Sequence, residues 1–187
     1  MKLACLVSAA LLSASAASAQ PPAAAPAKIS LAAGIQRGYD NIKRNLKEAA
    51  DKMPDAEYGF KPTPDIRSFG QLVGHVANAQ FNACSAAKGE GNPNQGNDNE
   101  KKTTKAELVK ALSDSFAYCD PVFASLTDET AVQFVKQGQN EVARGVVMSG
   151  TVTHDNEMYG TASVYMRLKG LVPPSTERQQ QMRRPPE

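Results

Sequence analysis

The sequence predicts an all-α protein, a four-helix bundle carried behind an export signal. Three observations predict it. Apolar residues recur every three or four positions and do not alternate. Two of the periodic stretches open on capping-box spacings, Ser68-Phe-Gly-Gln71 and Thr104-Lys-Ala-Glu107. Between those two stretches, Lys88 to Thr103 has almost nothing to bury and reads as a solvated loop.

Residues 1–19 read as a secretory signal peptide. Lys2 supplies the positive start, Leu3 to Leu12 the short apolar core, and Ala17-Ser18-Ala19 the cleavage signal. The mature chain is therefore expected in the periplasm or outside the cell. Residues 20–28, rich in Pro and Ala, read as a linker, residues 29–175 as one domain with a real core, and residues 176–187 as a flexible tail. No other run approaches the roughly 20 apolar residues of a membrane span. Without the leader, 20 basic residues face 19 acidic ones, which gives no electrostatic reason to expect nucleic acid or an acidic membrane as partner.

The first helix is predicted over Ser30–Met53, where Ile35, Tyr39, Ile42, Leu46, Ala49 and Met53 form one stripe and Pro54 stops it. A second begins at Ser68, with Leu72, Val73, Val76, Gln80 and Cys84 on one face. The third begins at Thr104, with Leu108, Leu112, Phe116, Cys119, Phe123 and Leu126 inward. The fourth runs from about Glu141 to Lys169 and ends at Gly170 before Pro173-Pro174. On it, the stripe Val147, Thr151, His154, Met158, Thr161, Tyr165 and Leu168 is expected to face inward.

A hairpin between antiparallel helices needs only about 2–8 residues. The loop from Lys88 to Thr103 is long enough to run the length of the bundle, at about 3.3 Å per extended residue, and lets helix three lie parallel to helix two. Cysteine gives an independent check. Cys84 lies 16 positions after Ser68 and Cys119 lies 15 after Thr104, so parallel helices bring the two thiols to the same height. A Cys84–Cys119 disulfide is the expectation for an exported chain, with two buried free cysteines as the plainer alternative.

The segment from Phe60 to Ala77, which contains His75, and the segment from Thr153 to Pro174, which opens on His154, together resemble the DinB-like superfamily, a group that includes metalloenzymes of the DinB and YfiT type. The resemblance covers roughly Ile29 to Ser175. It implies an up-down-down-up topology, a tendency to form homodimers, and a nickel or zinc site built from one histidine of helix two and two histidines a turn apart on helix four. Carried over, His75 matches the first ligand and His154 the second, but the third position holds Met158. A thioether is a poor ligand for nickel or zinc and suits Cu(I).

The nearby carboxylates do not obviously repair the set. Asp155 points about 100° away from His154, and both Asp155 and Glu157 read as a solvated helix face, with Glu157 able to reach the rim. His75 and His154 also have a plainer reading as buried, hydrogen-bonded histidines, and Met158 as core filler. No G-x-S-x-G elbow or phosphate-cradling glycine loop is present.

Three readings follow. In the first, a non-catalytic descendant with a degenerate metal site binds a small-molecule ligand or a partner in the old cleft. In the second, the chain is a divalent-metal-dependent hydrolase or thiol transferase. In the third, His75, His154 and Met158 bind Cu(I).

Overall fold

The computed structural model describes residues 27–184. The signal peptide read over residues 1–19, and residues 20–26 of the linker, lie outside the described residues. The described chain is mostly helical: α1 (Leu31–Lys52), α2 (Phe69–Lys88), α3 (Lys105–Ala124), the single turn α4 (Asp128–Ala131), α5 (Arg144–Leu168) and α6 (Pro174–Met182). A small antiparallel hairpin, β1 (Phe134–Gln137) with β2 (Asn140–Ala143), separates α4 from α5.

Capping chemistry sets the helix starts. Ser30 Oγ accepts the Ala33 N–H at the head of α1. Ser68 and Gln71 form a reciprocal capping box on α2, and Thr104 and Glu107 form another on α3. Gly89, at φ 73°, closes α2 in the left-handed region that costs glycine least.

α1 and α2 each pack against both α3 and α5, and the apolar stripes meet between them in one core that includes Ile42, Leu46, Phe69, Phe116 and Met166. Tyr39 stacks on Phe123 with ring centroids 3.7 Å apart, and its hydroxyl donates to Asp120 at 2.8 Å. α2 and α3 start at the same end. A Cβ on Gly70 would stand 3.0 Å from Leu108 Cδ1 near the two starts. Further along, the sulfurs of Cys84 and Cys119 lie at disulfide distance, with their Cα atoms 5.5 Å apart, as the spacing predicts. Among the described residues no helix is long and apolar enough to cross a membrane.

Four details differ from the sequence expectation. α5 starts at Arg144, three residues late, because residues 140–143 pair with β1 across a two-residue turn in which Gly138 takes φ 63°. Of the tail expected to be flexible over 176–187, the part as far as Met182 is helical, and residues 185–187 lie outside the described residues. Pro174 opens this helix at a first-turn position that needs no N–H, and ion pairs from Arg178 to Glu48 and from Glu177 to Lys52 tie it to α1. Leu168, expected inward, is 58% exposed. Finally, the long polar connection is not wholly solvated: a 3-10 turn at Asn99–Lys101 packs on α2, and Asn99 is buried.

Candidate functional site

His75 lies two turns into α2 and His154 near the middle of α5, and the packing of these two helices brings the imidazoles together. Their Nε2 atoms are 3.1 Å apart, with ring centroids at 5.1 Å. Both rings are about one quarter exposed, so the pair is partly open to solvent between α2 and α5.

Each Nδ1 faces a carboxylate. His75 Nδ1–H donates to Glu100 Oε1 at 2.7 Å, and Arg67 Nε donates to the other oxygen of the same carboxylate at 2.9 Å. His154 Nδ1 lies 3.3 Å from Asp155 Oδ1, while Gln80 Nε2 donates to Asp155 Oδ2. Asp155 is fully buried. Burial pushes its carboxyl above the usual range, and the bonds from His154 and Gln80 pull only partly against it. Glu100 shifts the other way: burial pushes it up, but hydrogen bonds from Arg67 and His75 together outweigh that and hold it below the usual range.

These contacts assign the protons. A carboxylate accepts only, so His75 Nδ1 carries its hydrogen, and His154 Nδ1 does so while Asp155 is ionised; a ring with one hydrogen then keeps its lone pair on Nε2. Two lone pairs facing each other at 3.1 Å repel unless a cation, either a proton or a metal ion, sits between them. Two ring nitrogens this close could be shared by one metal ion, which would supply that positive charge. The carboxylate behind each imidazole is the support that metal-ligating histidines usually have. Two donors of the expected set therefore fit a metal.

The third position does not fit in the same way. Met158, one turn beyond His154, is half-buried and packs against the core. It lines a cleft of about 570 Å³ with Arg67, Gln71, Glu100 and Tyr165. A second cleft, of about 370 Å³, opens on the other side of the pair between Asn82, Gln137, Val146 and His154. Among the described residues no group of three or more His, Cys, Asp or Glu side chains is arranged to hold a metal ion.

Glu157 is exposed, as the sequence predicts. Asp155 is the correction. The buried face of α5 is centred on Met148, Thr151, Asp155, Tyr159, Ala162 and Met166, about 100° round from the expected stripe, which leaves His154 and Met158 at its edge. A charged residue reads as outward until its partner is known, and the partner here is Gln80 on another helix. The signal available was the period of Thr151, Asp155, Tyr159 and Ala162. Glu100 had no comparable signal, being one acid in a polar loop.

Comparison with known proteins agrees with this architecture. The chain is similar to a crystal structure of a DinB-like protein from Bacillus cereus at 15% identity and TM-score 0.63, covering 75% of this chain and 94% of that one. It is similar to a DinB-like protein from Bacillus subtilis at 20% identity and TM-score 0.59, covering 73% and 92%. A conserved protein from Enterococcus faecalis gives 19% identity and TM-score 0.58, covering 72% and 94%. At these identities the likeness is one of fold. None of the curated proteins matches significantly. The DinB superfamily model matches residues 39–162, about two thirds of the sequence, and the chain belongs to that superfamily.

Proposed function

We propose that this chain is an exported ligand-binding member of the superfamily, whose His75–His154 pair holds one cation between α2 and α5 without carrying the family's chemistry. One observation carries the reading: the two Nε2 atoms converge at 3.1 Å while both Nδ1 atoms face carboxylates. A metal held by two protein nitrogens keeps at least two positions open, and the flanking clefts give an external ligand room to fill them. When bound, the metal would supply Lewis acidity toward that ligand. Met158, in place of a third imidazole, is the reason to assign binding and not turnover.

The proposed architecture is an up-down-down-up four-helix bundle. Its support is the pairing of Gly38 with Val152 near the starts of α1 and α5, the shared starts of α2 and α3, and the bond from Tyr165 near the end of α5 to Arg67 just before α2. Export is supported by the signal-like leader and by the pairing of Cys84 with Cys119, since such bridges persist in oxidising compartments.

The carboxylate-supported imidazoles also favour a second reading, a divalent-metal hydrolase. Elemental mass spectrometry of untagged mature protein, purified without chelator and then offered zinc, nickel or copper, separates the outcomes. One divalent ion per chain, absent from His75→Ala/His154→Ala, is the expected result. Hydrolytic turnover by that loaded protein would move the assignment to the enzyme, and copper lost on Met158→Ala would move it to a Cu(I) site. A protein that takes up no metal at any concentration would remove the cation site.

A further inference from the structure

The family-type ligands do not explain how Glu100, carried by a long polar connection, reaches His75. Two residues of α2 next to His75 account for it. At Gly74 the connection lies directly on the helix backbone: a Cβ there would stand 2.4 Å from the Asn99 carbonyl oxygen and 2.8 Å from Glu100 N, closer than any side chain tolerates. One turn on, Asn78 uses its whole amide. Its Oδ1 accepts from Asn99 Nδ2 at 2.9 Å, Asn99 N at 3.1 Å and Asn94 Nδ2 at 3.2 Å. Its Nδ2 donates to Asp98 Oδ1 at 2.9 Å, and that same oxygen accepts the Glu100 N–H at 3.1 Å. Donors on one side and a carboxylate on the other leave only one orientation for the Asn78 amide.

We infer that Gly74 and Asn78 are positioning residues for the histidine pair: they pin the strap 94–101 to α2 so that the Glu100 carboxylate is held on His75 Nδ1. The pinned backbone lets Glu100 bridge His75 and Arg67 without ordering a free loop each time. His75 thereby keeps its hydrogen on Nδ1 and its lone pair on Nε2, toward His154. The inference rests on the cation-site reading only for its affinity readout; the tautomer readout stands without it.

The test uses the full mature chain as Asn78→Ala, Gly74→Ala, Glu100→Gln and the Asn78→Ala/Glu100→Gln double variant. In metal-free protein, long-range ¹H–¹⁵N NMR of the His75 ring should show Nδ1–H in the wild type and a shift toward Nε2–H in each variant. Zinc affinity should fall about 10- to 100-fold in Asn78→Ala and in Glu100→Gln. The double variant should be no weaker than Glu100→Gln alone, a non-additivity that general loosening of the fold does not produce. If Asn78→Ala does not fold, Asp98→Ala at an exposed position should give the same tautomer shift in smaller measure. A folded variant that keeps both the Nδ1–H tautomer and wild-type zinc affinity overturns the inference. A wild type that binds no zinc yet shows the tautomer shift in its variants would sink the cation site and leave the positioning role standing.

Discussion

Asp155→Asn should make the protein more stable at neutral pH and weaken the proposed cation site. Asp155 is fully buried, and its partners are Gln80 and His154. Burying a carboxylate costs several kcal/mol after relaxation, and two charge-assisted hydrogen bonds return roughly 1.5–3 kcal/mol each. The bond to His154 is long at 3.3 Å, and the carboxyl titrates above the usual range, so the return is incomplete. Asparagine has the same shape and no charge to desolvate, and Gln80 can turn its amide so that its oxygen accepts from the new Nδ2. The expected gain is about 1–2 kcal/mol, or a Tm rise of about 2–8 °C at this chain length.

The pH dependence identifies the cause. An acid whose folded pKa is raised lowers stability above that pKa, and the penalty shrinks as pH falls through it. It vanishes below the unfolded value of about 3.9, where the group is protonated in both states. Denaturant unfolding of both proteins from pH 3.5 to pH 8 should therefore show curves that coincide in acid and separate toward neutrality. Zinc affinity should drop about 10- to 100-fold, because His154 loses its charged support. A variant less stable than wild type by the same amount at every pH would refute this reasoning, since the Asp155 bonds would then exceed the cost of burying the charge.

Glu100→Gln should show the opposite pH profile. The Glu100 carboxyl is held low, so its contribution is present above the unfolded value, is lost as pH falls through the folded one, and should be absent in acid unfolding curves. Met158→His should tighten zinc by adding a third imidazole a turn from His154, read by competition with a chromophoric chelator; unchanged affinity would mean that the side chain at 158 does not face the metal. Replacing Cys84 and Cys119 together with Ala should cost about 4 kcal/mol from the loop of 35 residues that the pair closes, measured by denaturant unfolding against the oxidised wild type, with the reduced wild type expected to resemble the variant. Thr104→Ala removes the α3 capping box and should cost about 1 kcal/mol in the same assay.

The parts legible in the sequence are those fixed by local chemistry. Ser68 with Gln71 and Thr104 with Glu107 mark two helix starts, and the matching distances from those starts to Cys84 and Cys119 place the two sulfurs side by side. His75 and His154 were legible as a pair through their place in the resemblance. What escaped depends on contacts far apart in the chain. Asp155 is inward because Gln80 meets it across 75 positions, and Glu100 is at the site because Asn78 and Gly74 hold a strap that composition marks only as polar. α6 depends on Arg178 and Glu177 reaching α1. The β1–β2 hairpin is a different case: Gly138 before Gln139, between short β-prone runs, was a local signal that helix periodicity overshadowed.

The two carboxylates divide the charge around the histidine pair unequally, and that division bears on the proposed cation site. Glu100 is neutralised by Arg67, so its negative charge is balanced before any cation arrives. Asp155 is fully buried, its side-chain partners are Gln80 and His154, and burial holds its carboxyl above the usual range. In the proposed site, a cation held by His75 and His154 would make His154 Nδ1–H a stronger donor to Asp155. Cation binding and the ionisation of Asp155 are then linked, each favouring the other by the same free energy. A protein with the pair for packing alone would gain by losing that acid. Under the proposed function, its presence in the core at a cost to stability is offset when a cation binds, so added zinc should stabilise wild type more than Asp155→Asn, and equal stabilisation of the two would remove the link.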